Sequence, residues 1–326
     1  MRKVFKKCIA AITLAFALVL LSDCKPKAQN VRILYWNIQN GMWSDQDGNY
    51  DSFVKFVKDK KPDICVWAEA KSLYISGTTQ KLDPEAQYLP DHWPELAARY
   101  GHKYTCIAMH RDNYPQVFTS RWPIEEMMHI EGEKPDSVVA HGAGWVRFDV
   151  NGKQLNIVSV HTYPQKYRYK VAESDRERSA AAHEGDAYRR AEVKYICEHT
   201  VLTDPDAKDN YWFMCGDFNS VSRADNHHYN LPEDAPDFQC QDYISQDTPY
   251  IDIIRELNPG VYQPTQVSVN GGDRRGDYIF CTRGLMDRLV KAYIVNDKWT
   301  APVKAKGDNI YFDPSDHLPI IADFKL

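Results

Sequence analysis

The run Tyr211-Trp-Phe-Met-Cys215 constrains this chain most: five apolar residues stop at Gly216 and give way to Asp217, Phe218 and Asn219. An apolar, aromatic-rich run of that length reads as a buried strand, and side chains two positions apart on an extended segment point the same way. Asp217 and Asn219 are therefore expected to face one site. A carboxylate and an amide held together at a strand's end suit hydrolysis, the carboxylate taking a proton from water and the amide holding an anionic oxygen.

The same design recurs along the chain. Val31-Arg-Ile-Leu-Tyr-Trp36 reads as a strand that delivers Asn37, Asp63-Ile-Cys-Val-Trp-Ala68 as one that delivers Glu69, and Leu155-Asn-Ile-Val-Ser-Val160 as one that delivers His161. Asp277 lies inside a further strand, Gly276 to Cys281, and Asp316-His317 stands at the entrance to the last, Leu318 to Phe324. Tyr104 to Met109, Gln116 to Thr119 and Gly144 to Val150 also read as strands, the third joined to Gln154 to Val160 by the turn signal Asn151-Gly152. Helical patterns cover Asp51 to Lys60, about 93 to 100, about 179 to 199 and Tyr250 to Leu257. Residues 222 to 248 read as a loop, and Val267 to Val269 with Gly276 to Cys281 as a hairpin. Strands that alternate with helices yet include hairpins fit two mixed β-sheets packed face to face with helices outside.

The first residues are set apart from this pattern. Met1 to Lys7 is basic, and Ile9 to Leu21 is an almost unbroken apolar run of 13 residues, short for a bilayer span but suited to an export signal. It ends in Leu21-Ser-Asp-Cys24, which resembles the lipobox of bacterial lipoproteins, so residues 1–23 are expected to be a signal peptide, Cys24 to carry lipid, and residues 24–30 to be a tether. The remaining chain would hold 36 basic and 44 acidic residues, a net charge of −8 against −5 for the whole. That balance disfavours non-specific binding along DNA, which depends on Lys and Arg neutralising phosphates. Six cysteines follow Cys24, at 65, 106, 197, 215, 240 and 281, with no metal-ligand or redox spacing; Cys65, Cys215 and Cys281 read as small buried hydrophobes.

Seven stretches now stand in order: Trp36-Asn37, Glu69, Ser120-Arg121, Val160-His161-Thr162, Gly216-Asp-Phe-Asn219, Gly276-Asp-Tyr-Ile-Phe280 and Ser315-Asp-His-Leu-Pro319. Together they resemble the motifs of the endonuclease/exonuclease/phosphatase superfamily, over essentially residues 31–326. The resemblance implies a four-layered α/β sandwich and Mg²⁺-dependent cleavage of phosphate esters, with Mn²⁺ as a substitute ion. By position it implies Glu69 as the main metal ligand, Asn37 beside metal and phosphate, and Asp316 beside the metal or at a second one. It further implies Asp217 as the group that activates water and Asn219 as a holder of the attacking water or phosphate. His161 and His317 would contact the phosphoryl oxygens, and Asp277 would orient His317.

Other candidates have plainer readings. His227-His228 fits a solvated loop better than a metal site. The mixture of Tyr and Lys or Arg from Tyr163 to Arg178 reads equally as a rim guiding an anionic substrate or as a solvated loop. Arg275-Gly-Asp277 fits a buried strand start rather than an adhesion motif. The resulting expectation is an exported, membrane-anchored monomer, periplasmic or at the cell surface, that hydrolyses a phosphate ester. A nuclease and a catalytically silent binding lipoprotein are the alternatives.

Overall fold

The computed structural model describes residues 28–87, 92–109, 114–130, 138–267, 272–305 and 311–326. The expected signal peptide, Cys24 and part of the turn after Val267 lie outside these. In chain order the strands are β1 (Asn30–Asn37), β2 (Ile64–Ala68), β3 (Tyr104–Met109), β4 (Gln116–Ser120), β5 (Glu125–Ile130), β6 (Ala143–Val150), β7 (Lys153–His161) and β8 (Tyr211–Asp217). They continue with β9 (Ile251–Asp252), β10 (Gln266–Val267), β11 (Asp273–Arg274), β12 (Asp277–Cys281), β13 (Leu289–Ile294), β14 (Val303–Lys304), β15 (Phe312–Asp313) and β16 (Ile320–Lys325).

Two six-stranded sheets dominate, one in the order β13-β16-β1-β2-β4-β3 and the other β5-β6-β7-β8-β12-β9. Each is mixed: β1 runs parallel to β2 and β7 parallel to β8, and the other pairs are antiparallel. Alternate residues of the central strands go to different cores, as the pleat requires. Val31, Ile33 and Tyr35 of β1 meet Leu155 and Ile157 of β7, Phe213 and Cys215 of β8, and Ile279 and Cys281 of β12 between the sheets. Leu34 and Trp36 face the opposite way, onto the helices α1 (Asp51–Lys60) and α2 (Trp93–Arg99). Trp212, Met214, Tyr278 and Phe280 do the same on the second sheet, under α3 (Glu184–Glu198) and α4 (Gln239–Asp247). The expected α/β/β/α sandwich is therefore present.

Local chemistry sets the helix limits. In α1, Phe53, Val54, Phe56 and Val57 are buried, and the helix stops at Lys61, whose left-handed backbone (φ 53°) returns its N–H to the Val57 carbonyl just before Pro62.

Four expectations require correction. Residues 222–248 are not all loop, because Cys240, Tyr243 and Ile244, at helical spacing, bury one face of α4 in the outer core. The long helix from 179 breaks: a first segment ends at Ala181, and His183 takes a left-handed backbone (φ 53°) before α3 begins. The stretch from Tyr250 gives β9 first and only then a helix, Ile253–Leu257, capped by the Asp252 carboxylate on the Arg255 N–H. The strand carrying Asp277 does not pair back on Val267: β10 pairs with β11, and β12 inserts between β8 and β9, while 268–269, the rest of the expected first strand, lie outside the described residues.

Arg275 sits at the start of β12 and is buried, as its neighbours in sequence indicate. Its guanidinium donates to Asp225 (2.7 Å) and Asp252 (2.6 Å), tying the 222–248 segment to β9. Removing one partner of a buried ion network leaves uncompensated charge, which costs about 3–5 kcal/mol. Arg275→Met is therefore expected to lower the urea midpoint sharply. An unchanged midpoint would mean that the network contributes nothing to stability.

Candidate active site

The site is the polar end of the inter-sheet core. Asn37 continues the row Val31, Ile33, Tyr35; Asp217 continues Phe213 and Cys215; His161 continues Leu155, Ile157 and Ser159; and Asp277 begins the row of Ile279 and Cys281. Parity alone therefore turns these four side chains into the space between the sheets where the apolar residues run out. Register completes the convergence, since β7 places His161 beside Asp217 and β12 places Asp277 opposite Asp217. Gly216 permits that register, because a Cβ there would lie 2.0 Å from the Val160 carbonyl oxygen.

Glu69 leaves β2 with a left-handed backbone (φ 53°), a conformation costing about 1–3 kcal/mol that clusters at functional sites. The turn after β1 holds it: the Asn40 N–H donates to Glu69 Oε2 (3.1 Å) and the Gly41 N–H to its carbonyl (2.7 Å). Asn37 Nδ2 spans Glu69 Oε1 (3.4 Å) and Asp217 Oδ2 (3.3 Å). The Asn219 N–H donates to Asp217 Oδ1 (3.0 Å), and its side-chain amide to the Thr162 carbonyl (3.0 Å). Asp217 Oδ2 then lies 3.8 Å from His161 Nε2 and 3.7 Å from His317 Nε2. His317 Nδ1 bonds Asp277 Oδ2 (2.7 Å), whose other oxygen accepts from the Tyr35 hydroxyl (2.8 Å). Asp316 Oδ2 is 3.8 Å from His317 Nε2, and Asp316 also accepts from Gln39. All eight residues singled out in the sequence are thus in one connected cluster, six of them buried and Glu69 and Asp316 half-buried.

The charges within it are unequal. Burial pushes the Asp217 carboxyl up, but His317 and His161, together with the Asn219 N–H and Arg274, outweigh burial and hold it below the ordinary carboxylate range. Burial and the neighbouring Asp316 push Glu69 up to about 7, and burial raises Asp316 and Asp277 as well. Burial alone would lower His317, yet Asp277, Asp316 and Asp217 raise it well above an ordinary histidine, which favours the imidazolium. Asp217, Asp277 and His317 have ligand atoms close enough to share an ion. Both Asp277 oxygens are already engaged, however, so this trio reads as an oriented imidazolium rather than a metal cage.

Several participants gave no sequence signal. Thr265 Oγ1 accepts from the N–H groups of Gly276 (3.2 Å) and Asp277 (3.0 Å), while its carbonyl takes the Leu318 N–H (2.7 Å). Gln266 lies 3.0 Å from His317 Nε2. Glu192 of α3 accepts the Tyr163 N–H (2.9 Å), fixing the chain as it leaves His161. The Tyr163–Arg178 stretch is ordered by its own rings, with Tyr163 5.1 Å from Tyr169 and Arg176 over Tyr167. His227 and His228 are exposed, as expected, and His228 stacks on Tyr262.

The model of the endonuclease/exonuclease/phosphatase family matches residues 34–317. The chain belongs to that family. As a member of it, the protein is a phosphoric ester hydrolase. Solved structures agree in fold at low identity. An AP endonuclease from Archaeoglobus fulgidus superposes with a TM-score of 0.59 and 19% identity, over 91% of this chain and 100% of that one. The 3' phosphatase NExo from Neisseria, bound to a product DNA hairpin, gives 0.58 and 15%, over 91% and 100%. An endonuclease/exonuclease/phosphatase from Beutenbergia cavernae gives 0.56 and 18%, over 91% and 72%. No curated protein sequence matches the chain.

Proposed function

We propose that this family member is an exported, lipid-anchored, Mg²⁺-dependent hydrolase of a small or lipid-linked phosphate ester. The observation that carries the reading is the position of Asp217, an ionised buried carboxylate facing two histidines and flanked by Asn37 and Asn219. In this reading Asp217 accepts the proton of the attacking water and Asn219 holds that water or the phosphate. The His317 imidazolium and His161 donate hydrogen bonds to the non-bridging oxygens as the leaving oxygen departs in line. Asp277 keeps His317 oriented and charged.

The donor set fits a divalent cation. Glu69, Asp217 and Asp316 place three carboxylates in one space, Asp217 buried and the other two half-buried, and desolvation together with the neighbouring Asp316 charge pushes Glu69 up to about 7. Glu69, Asn37 and Asp316 would hold Mg²⁺, a hard ion content with few protein oxygens, and Mn²⁺ would substitute. When bound it would neutralise charge on the phosphoryl group as a Lewis acid. Export and anchoring through Cys24 rest on the basic, apolar and lipobox-like succession of residues 1–24; no described helix is long and apolar enough to cross a membrane. The protein is taken to act as a monomer.

One observation favours a nuclease instead. Lys166 and Arg274 line a cavity of about 310 Å³ beside Asn219, and neither side chain forms a hydrogen bond or ion pair among the described residues. Such cations suit a flanking phosphate; of the similar folds, one is an AP endonuclease and another, NExo, holds a product DNA hairpin. Comparing phospholipid and soluble phosphate esters with an abasic-site duplex, across salt concentrations, separates the readings. Turnover of the small or lipid esters that is nearly flat in salt is expected. A preference for the duplex, falling steeply with salt, would replace the favoured substrate class with nucleic acid.

A further inference from the structure

We propose that Cys106, Glu126 and His129 form a second metal site, for Zn²⁺, that clips the edge of one sheet to the edge of the other. β3 and β5 are the edge strands of the two sheets and lie on the same side of the sandwich. Cys106 of β3 faces the inter-sheet core. On β5, Glu126 and His129 are three apart and would face opposite ways in a regular strand. A bulge intervenes: Glu126 pairs with Val146, but Met128 already pairs with Trp145 and His129 with Gly144. The extra residue, Met127, turns Glu126 and His129 to the face that Val146 and Gly144 share, toward β3.

The sheets approach closely there, since a Cβ on Gly144 would lie 2.3 Å from the Ala108 Cβ. Sulfur, imidazole nitrogen and carboxylate oxygen thereby come within 4.8 Å of one another, the three together. Tetrahedral ligands at zinc distances stand roughly 3.3–3.8 Å apart, so little movement is needed. The imidazole is prepared for the task, because His129 Nδ1 lies 2.7 Å from the Ala108 carbonyl, which can only accept. Nδ1 therefore carries a proton, and Nε2 lies 3.0 Å from Glu126 Oε2, where either a proton or a cation can bridge the two. Two acceptors facing each other need a proton or a cation between them. A thiol, an imidazole and one carboxylate select zinc over Mg²⁺, which is bound by oxygen. Water from the open side would complete the coordination. Binding releases to solvent the proton of the Cys106 thiol and the proton held between His129 Nε2 and Glu126 in the metal-free site.

The site is separate from the hydrolytic centre, and its test does not depend on turnover. Co²⁺ titrated into the metal-stripped full chain is expected to give one equivalent of thiolate-to-metal charge transfer, displaced by Zn²⁺. The band should vanish in Cys106→Ser, and Co²⁺ affinity should fall at least tenfold in His129→Ala and Glu126→Gln. The last two positions are partly exposed, so those variants report even if Cys106→Ser fails to fold. Absence of the band in the wild-type chain, or equal affinity in His129→Ala and Glu126→Gln, would overturn the proposal.

Discussion

Asp217→Asn is expected to lower phosphate-ester turnover by about 10²–10⁴-fold, the usual share of a general base, with little change in stability. The replacement is isosteric, and its amide oxygen can still accept the Asn219 N–H that Oδ1 now accepts. What it cannot do is take a proton from water. It also removes the negative charge that helps keep His317 protonated. Steady-state rates at saturating Mg²⁺, with a thermal melt as control, provide the measurement. Turnover within a few-fold of wild type would remove Asp217 from the role of base.

Asp277→Asn should cost about as much, although Asp277 acts only through His317. An amide at this position can accept from only one of its two present donors, the Tyr35 hydroxyl and His317 Nδ1, and its NH₂ would face the other. The ring then loses the carboxylate that holds and charges it, a defect worth about 10³–10⁴-fold when a carboxylate orienting a histidine is lost. The pH profile separates this role from a merely structural one. In the wild type, burial lowers the His317 pKa but the three carboxylates more than compensate, so the charged ring is favoured. With the Asp277 charge removed, burial gains ground and the His317 pKa falls. The imidazolium is then lost at lower pH as pH rises, and the alkaline limb of kcat should move toward neutral. A lower rate with an unmoved alkaline limb would mean that Asp277 supports the fold but not the charge of His317.

The sequence made the candidate cluster legible because its members end or begin apolar runs whose parity is visible. Asn37, Asp217 and Asp277 each share a pleat face with neighbours that can go nowhere but the core. The resemblance supplied what parity could not, namely that Glu69 and Asp316 join the same space. Glu69 reaches it only through a left-handed backbone at the exit of β2, and no local sequence rule anticipates that conformation for glutamate. Thr265 and Gln266 contribute through loop geometry that depends on β12 lying between β8 and β9, a long-range pairing without a local mark. Edge strands were missed for a related reason. β5 and β13 are half-buried or exposed along almost their whole length and interrupted by bulges, so neither shows the apolar alternation that identifies a strand. The Cys106, Glu126 and His129 cluster was hidden by the same bulge in β5, because spacing along the chain cannot report which face a bulged strand presents.

Initial-rate hydrolysis of p-nitrophenyl phosphate and bis-p-nitrophenyl phosphate with Mg²⁺, with Mn²⁺ and with EDTA tests the account most directly. The wild-type chain is expected to turn over at least one ester with either ion, to lose that activity in EDTA, and to regain it when Mg²⁺ is returned in excess. Hydrolysis that continues unchanged in EDTA, or equally fast in Asp217→Asn, would contradict it.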